Sequence, residues 1–273
     1  MDTLESLKKV SAVFSDIDGT LLNSESKLSD KTILSVGRLH IPFFLASGRF
    51  YRMMLPLARR LNITTPLVSA SGALTIDQNG TIIKEYRIDS DVLKEIIADL
   101  NHGYMDKVSL HLYDAKRWFC NSVSTPLFQM EYRVVRCLPD VVDKDMMSAT
   151  SYHISKFLIH AEPSTCDELY AKWKDRYQGK IHLFHDKPTM IEIFDKDADK
   201  GKGVKELCRL YHFDTKDVSC IGDTILDESM LLSCGYPIAM GNASASLKKI
   251  ARFLAPTTDE DGLSFILDQI TGR

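Results

Sequence analysis

Two aspartates stand two residues apart in the string Asp16-Ile17-Asp18-Gly19-Thr20, directly after the apolar run at 10–15. A carboxylate with an ordinary pKa near ~3.9 is ionised at neutral pH, so Asp16 can attack phosphorus without help from a general base. Asp18 falls on the same side of an extended chain. From there it can protonate a leaving oxygen and then take a proton from the water that cleaves an acyl-phosphate. Gly19 permits a tight exit from the strand and a close approach of backbone to ligand. Taken alone, the pentapeptide also fits a solvated acidic turn.

Two carboxylates repel a dianionic phosphate, so such a site needs a cation, and hard oxygen ligands beside phosphate point to Mg²⁺. The second acidic cluster this requires is found in Gly222-Asp223-Thr224-Ile225-Leu226-Asp227, where Asp223 ends an apolar run and Asp227 lies one helical turn later. Acids that merely cap a helix are the plainer account of that cluster alone. Phosphoryl oxygens also need donors. Ser47-Gly48-Arg49 follows the apolar run at 41–46 and opens a helical pattern, where free backbone N–H groups favour an anion. Lys202, at the head of a helix where a cation opposes the dipole, is the expected charge-balancing lysine, with Lys200 as its competitor. A solvated lysine is the alternative for either.

Short apolar runs alternate with amphipathic stretches, the pattern of a mostly parallel sheet covered by helices. Strands are predicted at 10–15, 41–46, 66–69 and 218–222, helices at 29–40 and 51–61, and a hairpin with positive φ at both residues of Asn79-Gly80. The character changes near residue 88. A helix over 92–100 is capped by Ser90, and strands are expected at 108–113 and 117–121. After a less regular stretch, a strand at 154–160 and a helix carrying a Ser164/Asp167 capping box are predicted. Strands at 180–185 and 189–194 follow. Simple alternation resumes at 201. The chain is thus expected to fold as an α/β core, 1–87 and 190–273, interrupted by an inserted α/β domain at 88–189.

The chain has 273 residues, a net charge of −3 and a 44% hydrophobic fraction, which gives no basic stripe for nucleic acid or an anionic membrane. Its six cysteines show no Cys-x-x-Cys spacing for zinc and no disulfide framework. No apolar run approaches the ~20 residues that span a bilayer. A reduced, cytoplasmic protein is expected, monomeric or weakly homo-oligomeric. His182 and His185 would point to opposite faces of a strand, which disfavours a metal site. Tyr113, Trp118, Phe119 and His111 read as sheet packing, and Asp195, Asp197 and Asp199 as a solvated run or hinge.

Taken in order, Asp16-x-Asp18-Gly19-Thr20, Ser47-Gly48-Arg49, Lys202-Gly203 and Gly222-Asp223-x-x-x-Asp227 resemble the four motifs of the haloacid dehalogenase superfamily. The insert between the second and third motifs, with Ala239-Met240-Gly241-Asn242-Ala243 and Asp259-Glu260-Asp261-Gly262, is similar to the Cof-type hydrolases. The resemblance implies a Rossmann-like core with a mobile α/β cap over the active site, and a phosphatase of sugar phosphates or other small phosphorylated metabolites. Asp16 would then be nucleophile and Mg²⁺ ligand, and Asp18 acid/base and a ligand through its carbonyl. Ser47, Gly48 and Lys202 would hold the phosphoryl group, Asp223 and Asp227 would serve the metal, and Arg49 and Asn242 would touch substrate. The chain departs from the family pattern at Leu226 and at Ser71-Gly72-Ala73, both places where the family carries Asn. Those departures keep open the alternative of a weakened phosphometabolite-binding protein, and a phosphomutase or phosphotransferase, with a second hydroxyl in place of water as acceptor, is the other alternative.

Overall fold

The computed structural model describes residues 4–142 and 153–272. The chain divides into two compact units, Met1–Lys84 with Asp199–Arg273, and Glu85–Ala198. Among the described residues no helix is long and apolar enough to cross a membrane.

The first unit is built on β1 (Ala12–Ser15), β2 (Phe43–Ala46), β3 (Leu67–Ser69), β4 (Leu74–Ile76), β5 (Ile82–Glu85), β12 (Val218–Gly222), β13 (Tyr236–Ala239) and β14 (Phe253–Leu254). Their order is β14-β13-β12-β1-β2-β3-β4-β5, with the first six mutually parallel and β4 antiparallel to β3. Strands β1, β2 and β12 are buried along their whole length, as expected where helices cover both faces of a parallel sheet. The helices of this unit are α1 (Asp30–Gly37), α2 (Tyr51–Arg60), α6 (Lys200–Tyr211), α7 (Glu228–Leu231), α8 (Ala245–Ile250) and α9 (Gly262–Thr271). The β4–β5 turn differs from expectation. φ is positive at Gly80 but not at Asn79, because the Asp77 carboxylate accepts from the Asn79 and Thr81 N–H groups and sets the turn itself.

The second unit contains α3 (Ser90–Asn101), α4 (Pro126–Val135) and α5 (Pro163–Arg176), with β6 (Val108–Tyr113), β7 (Trp118–Cys120), β8 (Asp140–Val141), β9 (Lys156–Ala161), β10 (Ile181–Lys187) and β11 (Met190–Asp195). Its sheet runs β10-β11-β9-β6-β7-β8 and is antiparallel except at β7–β8. The boundary expected after residue 189 is corrected here. Strand β11 pairs with β9 and β10, so the second sheet keeps the chain until Ala198. Two caps also differ: Asp89, rather than Ser90, accepts the first N–H groups of α3, and no side chain caps α5 at Glu162.

One face of this sheet packs Leu110, Leu112, Phe157, Ile159, Ile191 and Ile193 against α3 and α5. The other face is polar and nonetheless buried. There Glu131, from α4, accepts from the Tyr113 hydroxyl (2.5 Å) and lies 3.0 Å from His160 Nε2, while the Trp118 indole N–H donates to His111 Nδ1 (3.1 Å). Burial drives His111 down to about 3; the Glu131 charge opposes this, and His160 and Lys156 reinforce it. An unfolded histidine takes a proton near pH ~6.5, so below that value the unfolded chain binds a proton that the folded one refuses. The His111 contribution to the stability of this unit therefore falls as pH drops through ~6.5, by about 1.4 kcal/mol between about pH 7.5 and about pH 5.5. Trp118 and Trp173, the chain's two tryptophans, both lie in this unit, so their fluorescence reports its unfolding. We expect urea titrations to show this loss in the wild type and a clearly smaller one in His111→Gln; equal losses in both would rule out His111 as the source.

Candidate active site

Strands β12, β1 and β2 lie side by side and parallel, in register Ser15↔Ile221 and Ser15↔Leu45. The residues that leave their carboxyl ends are therefore neighbours: Asp223 after β12, Asp16 after β1 and Ser47 after β2. Asp16 is fixed by its own N–H, which donates to the Ile221 carbonyl (2.9 Å). Carboxylate oxygens of Asp16, Asp223 and Asp227 lie within 4.8 Å of one another.

The cation among them is Lys200. Its Nζ donates to Asp16 Oδ1 and to Asp227 Oδ1, each at 2.6 Å, and all three side chains are buried. The expected Lys202 is corrected to Lys200. Asp199 caps α6, its carboxylate accepting the Lys202 N–H (2.7 Å), so the helix begins at Lys200. Residues 200, 204, 207 and 208 then form the buried stripe, and position 202 turns away from it. That phase was readable in the sequence. The last residue of the acidic run at 195–199 is thus a helix cap, while Asp197 is exposed and the boundary between the two units falls within the run.

Asp227 orders the loop that carries Asp223. Its Oδ2 accepts the N–H groups of Asp223 and Thr224, both at 3.0 Å. Both oxygens of this carboxylate are thus engaged, one by backbone and one by Lys200. Asp223 is aimed by Thr20, whose hydroxyl donates to its Oδ1 (2.9 Å). Gly19 allows that approach. Its φ is +83°, and a Cβ there would sit 2.2 Å from Asp223 Oδ2.

Asp18 is oriented separately. Its carboxylate receives a fork from Arg49, Nε at 2.7 Å and Nη2 at 2.5 Å, and its side chain remains 54% exposed. Sequence reasoning placed Arg49 near substrate but missed this partner, 31 positions away. Asn242 clamps the backbone around the site, donating to the Gly19 carbonyl (2.8 Å) and accepting from the Thr258 N–H (3.0 Å).

Ser47 lies buried at the head of a tight loop, where its hydroxyl accepts the Arg49 N–H (3.2 Å) and its N–H donates to the Val68 carbonyl (2.8 Å). The turn Ala70-Ser71-Gly72 grips this loop: the Ala70 N–H donates to the Arg49 carbonyl and the Ser71 N–H to the Ser47 carbonyl. All three turn residues hold positive φ, +48°, +53° and +91°. The two that carry side chains cost about 1–3 kcal/mol each in this region.

With all three carboxylates ionised, the one ammonium would leave a local charge of three minus one, an excess of two negatives. Burial and the Asp227 charge push Asp16 up to about 8 against the pull of Lys200, and burial and Asp227 push Asp223 up to about 6 against the Thr20 hydrogen bond. Burial works to lower Lys200, yet the charges of Asp16 and Asp227 outweigh it and its pKa is raised. An uncompensated cluster of hard oxygen donors suits a divalent cation such as Mg²⁺, so the residues present fit that metal. Asp16 and Asp223 would be its side-chain ligands, because both Asp227 oxygens are already engaged. Removing one partner from a buried ion pair costs about 3–5 kcal/mol. We expect Lys200→Met to lower the unfolding free energy in urea by an amount of that order and Lys202→Met by less than about 1 kcal/mol. The reverse ranking would contradict the lysine assignment.

A family profile described as haloacid dehalogenase-like hydrolase matches residues 13–267. A Haemophilus influenzae protein provisionally named a phosphatase is 29% identical over 94% of this chain and 97% of its own. A Bacillus subtilis 5-amino-6-(5-phospho-D-ribitylamino)uracil phosphatase is 24% identical over 93% of this chain and 95% of its own. The crystal structure of a haloacid dehalogenase-like hydrolase from Bacteroides thetaiotaomicron superposes with a TM-score of 0.83 at 25% identity, covering 96% of this chain and 99% of that one.

Proposed function

Since the chain belongs to the haloacid dehalogenase-like hydrolase family, we propose that it is a Mg²⁺-dependent phosphatase of small phosphorylated metabolites that works through an aspartyl-phosphate on Asp16. The observation that carries this reading is the buried Asp16–Lys200–Asp227 bridge beside Asp223, at the carboxyl ends of adjacent parallel strands. Relatives along nearly the whole chain are named phosphatases, one of them acting on a phosphorylated ribityl compound, which supports a sugar-like leaving group.

In the first step an Asp16 carboxylate oxygen forms a bond to phosphorus as the ester P–O bond breaks, and Asp18, released as Arg49 turns to the incoming phosphate and protonated from solvent, gives that proton to the departing alkoxide. In the second, Asp18 takes a proton from water, whose oxygen attacks the same phosphorus and returns Asp16 as a free carboxylate. Lys200 pins the nucleophile, and Asp227 stops that lysine from neutralising Asp16 alone. Mg²⁺, held by Asp16 and Asp223 with the Asp18 carbonyl, would supply positive charge against the phosphoryl oxygens. Ser47 and Gly48 offer that group a hydroxyl and backbone at the head of α2. Arg49 anchors Asp18 and presents a guanidinium for which an incoming phosphate competes.

A phosphate-release screen over small phosphomonoesters tests the reading. The wild type is expected to turn over with Mg²⁺ and to stop with EDTA. Asp16→Asn should have no measurable turnover, and Asp18→Asn should be slower by roughly 10²–10⁴-fold. Equal hydrolysis by wild type and Asp16→Asn would remove Asp16 as nucleophile.

A further inference from the structure

The Ser71 hydroxyl has no hydrogen-bond partner among the described residues, although the residue is only 6% exposed. Its backbone is costly, since a side chain at φ +53° is strained and Ala70 before it is strained as well. On stability alone, glycine would relieve the strain, and glycine or alanine would remove the buried hydroxyl. The site retains a donor that the protein itself does not satisfy.

That donor sits against the loop Ser47-Gly48-Arg49. Ser71 Oγ is 3.2 Å from the point a Cβ on Gly48 would occupy, and the Ser71 N–H is bonded to the Ser47 carbonyl (3.0 Å). The loop leads into α2, a ten-residue helix whose N-cap, Phe50, contributes no side-chain hydrogen bond to the first turn. A helix start without a side-chain cap attracts an anion, and a hydroxyl beside it adds a donor of the matching kind. On the other flank a Cβ at Gly72 would fall 2.0 Å from the Asp199 carbonyl, so the same turn abuts the residue preceding Lys200.

We infer that Ser71 is an oxyanion-binding residue: its buried hydroxyl, placed by the left-handed turn at 70–72 against the Ser47-Gly48-Arg49 loop, donates to an oxygen of the bound phosphoryl group. This rests on the phosphatase reading and extends it to a residue that none of the motifs contains. The strain in the turn then has a use, because an extended or helical backbone at 71 would swing the hydroxyl off the loop.

The test uses inorganic phosphate with Mg²⁺, titrated by calorimetry into the full chain. The wild type is expected to bind, and Ser71→Ala to bind roughly tenfold more weakly, the loss of one hydrogen bond to an anion. Urea unfolding should show Ser71→Ala at least as stable as the wild type, which a purely structural hydroxyl would not allow. Ser71→Gly, which also relieves the strain, should lose phosphate affinity similarly and guards against a misfolded alanine variant. Wild-type-like phosphate binding by both variants would overturn the inference and assign the hydroxyl to water or packing. No phosphate binding by the wild type would instead overturn the phosphatase reading and this inference with it.

Discussion

The arrangement of the site depends on one buried ammonium shared between two carboxylates. Lys200 Nζ has room at 2.6 Å for both Asp16 and Asp227, and each acid draws on the same positive charge. A one-to-one pair would neutralise Asp16, whereas sharing leaves its charge only partly balanced, which is why burial and Asp227 hold its pKa up at about 8. The consequences spread outward. Asp227 spends its second oxygen on two backbone N–H groups, which fixes the loop bearing Asp223. Asp223 then reaches Thr20 and closes on Gly19, tying the ends of β12 and β1 together. Burial alone would forbid this density of charge, so the electrostatic deficit and the need for a divalent cation express the same fact.

Much of this was legible in the chain, for reasons that can be stated residue by residue. Strands β1, β2 and β12 read correctly because they are short, apolar and bounded, and Asp16, Ser47 and Asp223 followed from their ends. The helix-dipole argument favours neither Lys200 nor Lys202, since both stand in the first turn of α6; helical phase separates them, because counting back from Leu207 and Val204 puts position 200 on the buried stripe. Helix α4 escaped notice because its pattern is inverted. Its buried side carries Glu131 between Phe128 and Val135, while Met130 and Val134 are exposed, so no apolar stripe marks it. The start signal was nonetheless present, Thr125 followed by Pro126 at the first helical position. Tertiary partners such as Arg49 with Asp18 leave no local signal, since the fork depends on two strand ends meeting across the sheet.

The same contrast separates the two units. In the first, polar groups are buried where strand ends converge, and each carboxylate there is held by donors drawn from several distant segments. In the second, the buried polar groups lie across a sheet face, with Glu131 held down to about 2 although burial pushes it up: His160, Lys156 and His111 reverse the effect. Glu131 therefore stays ionised at neutral pH by satisfying its own partners, which makes it a fastener for α4. Asp16 and Asp223 move in the opposite direction, because there burial and the Asp227 charge outweigh the pull of Lys200 and the Thr20 hydrogen bond. Burial is common to both clusters, so the sign of the shift is set by composition. A cluster whose charges close on themselves holds a fold together, and one left short of positive charge is built to receive it from outside.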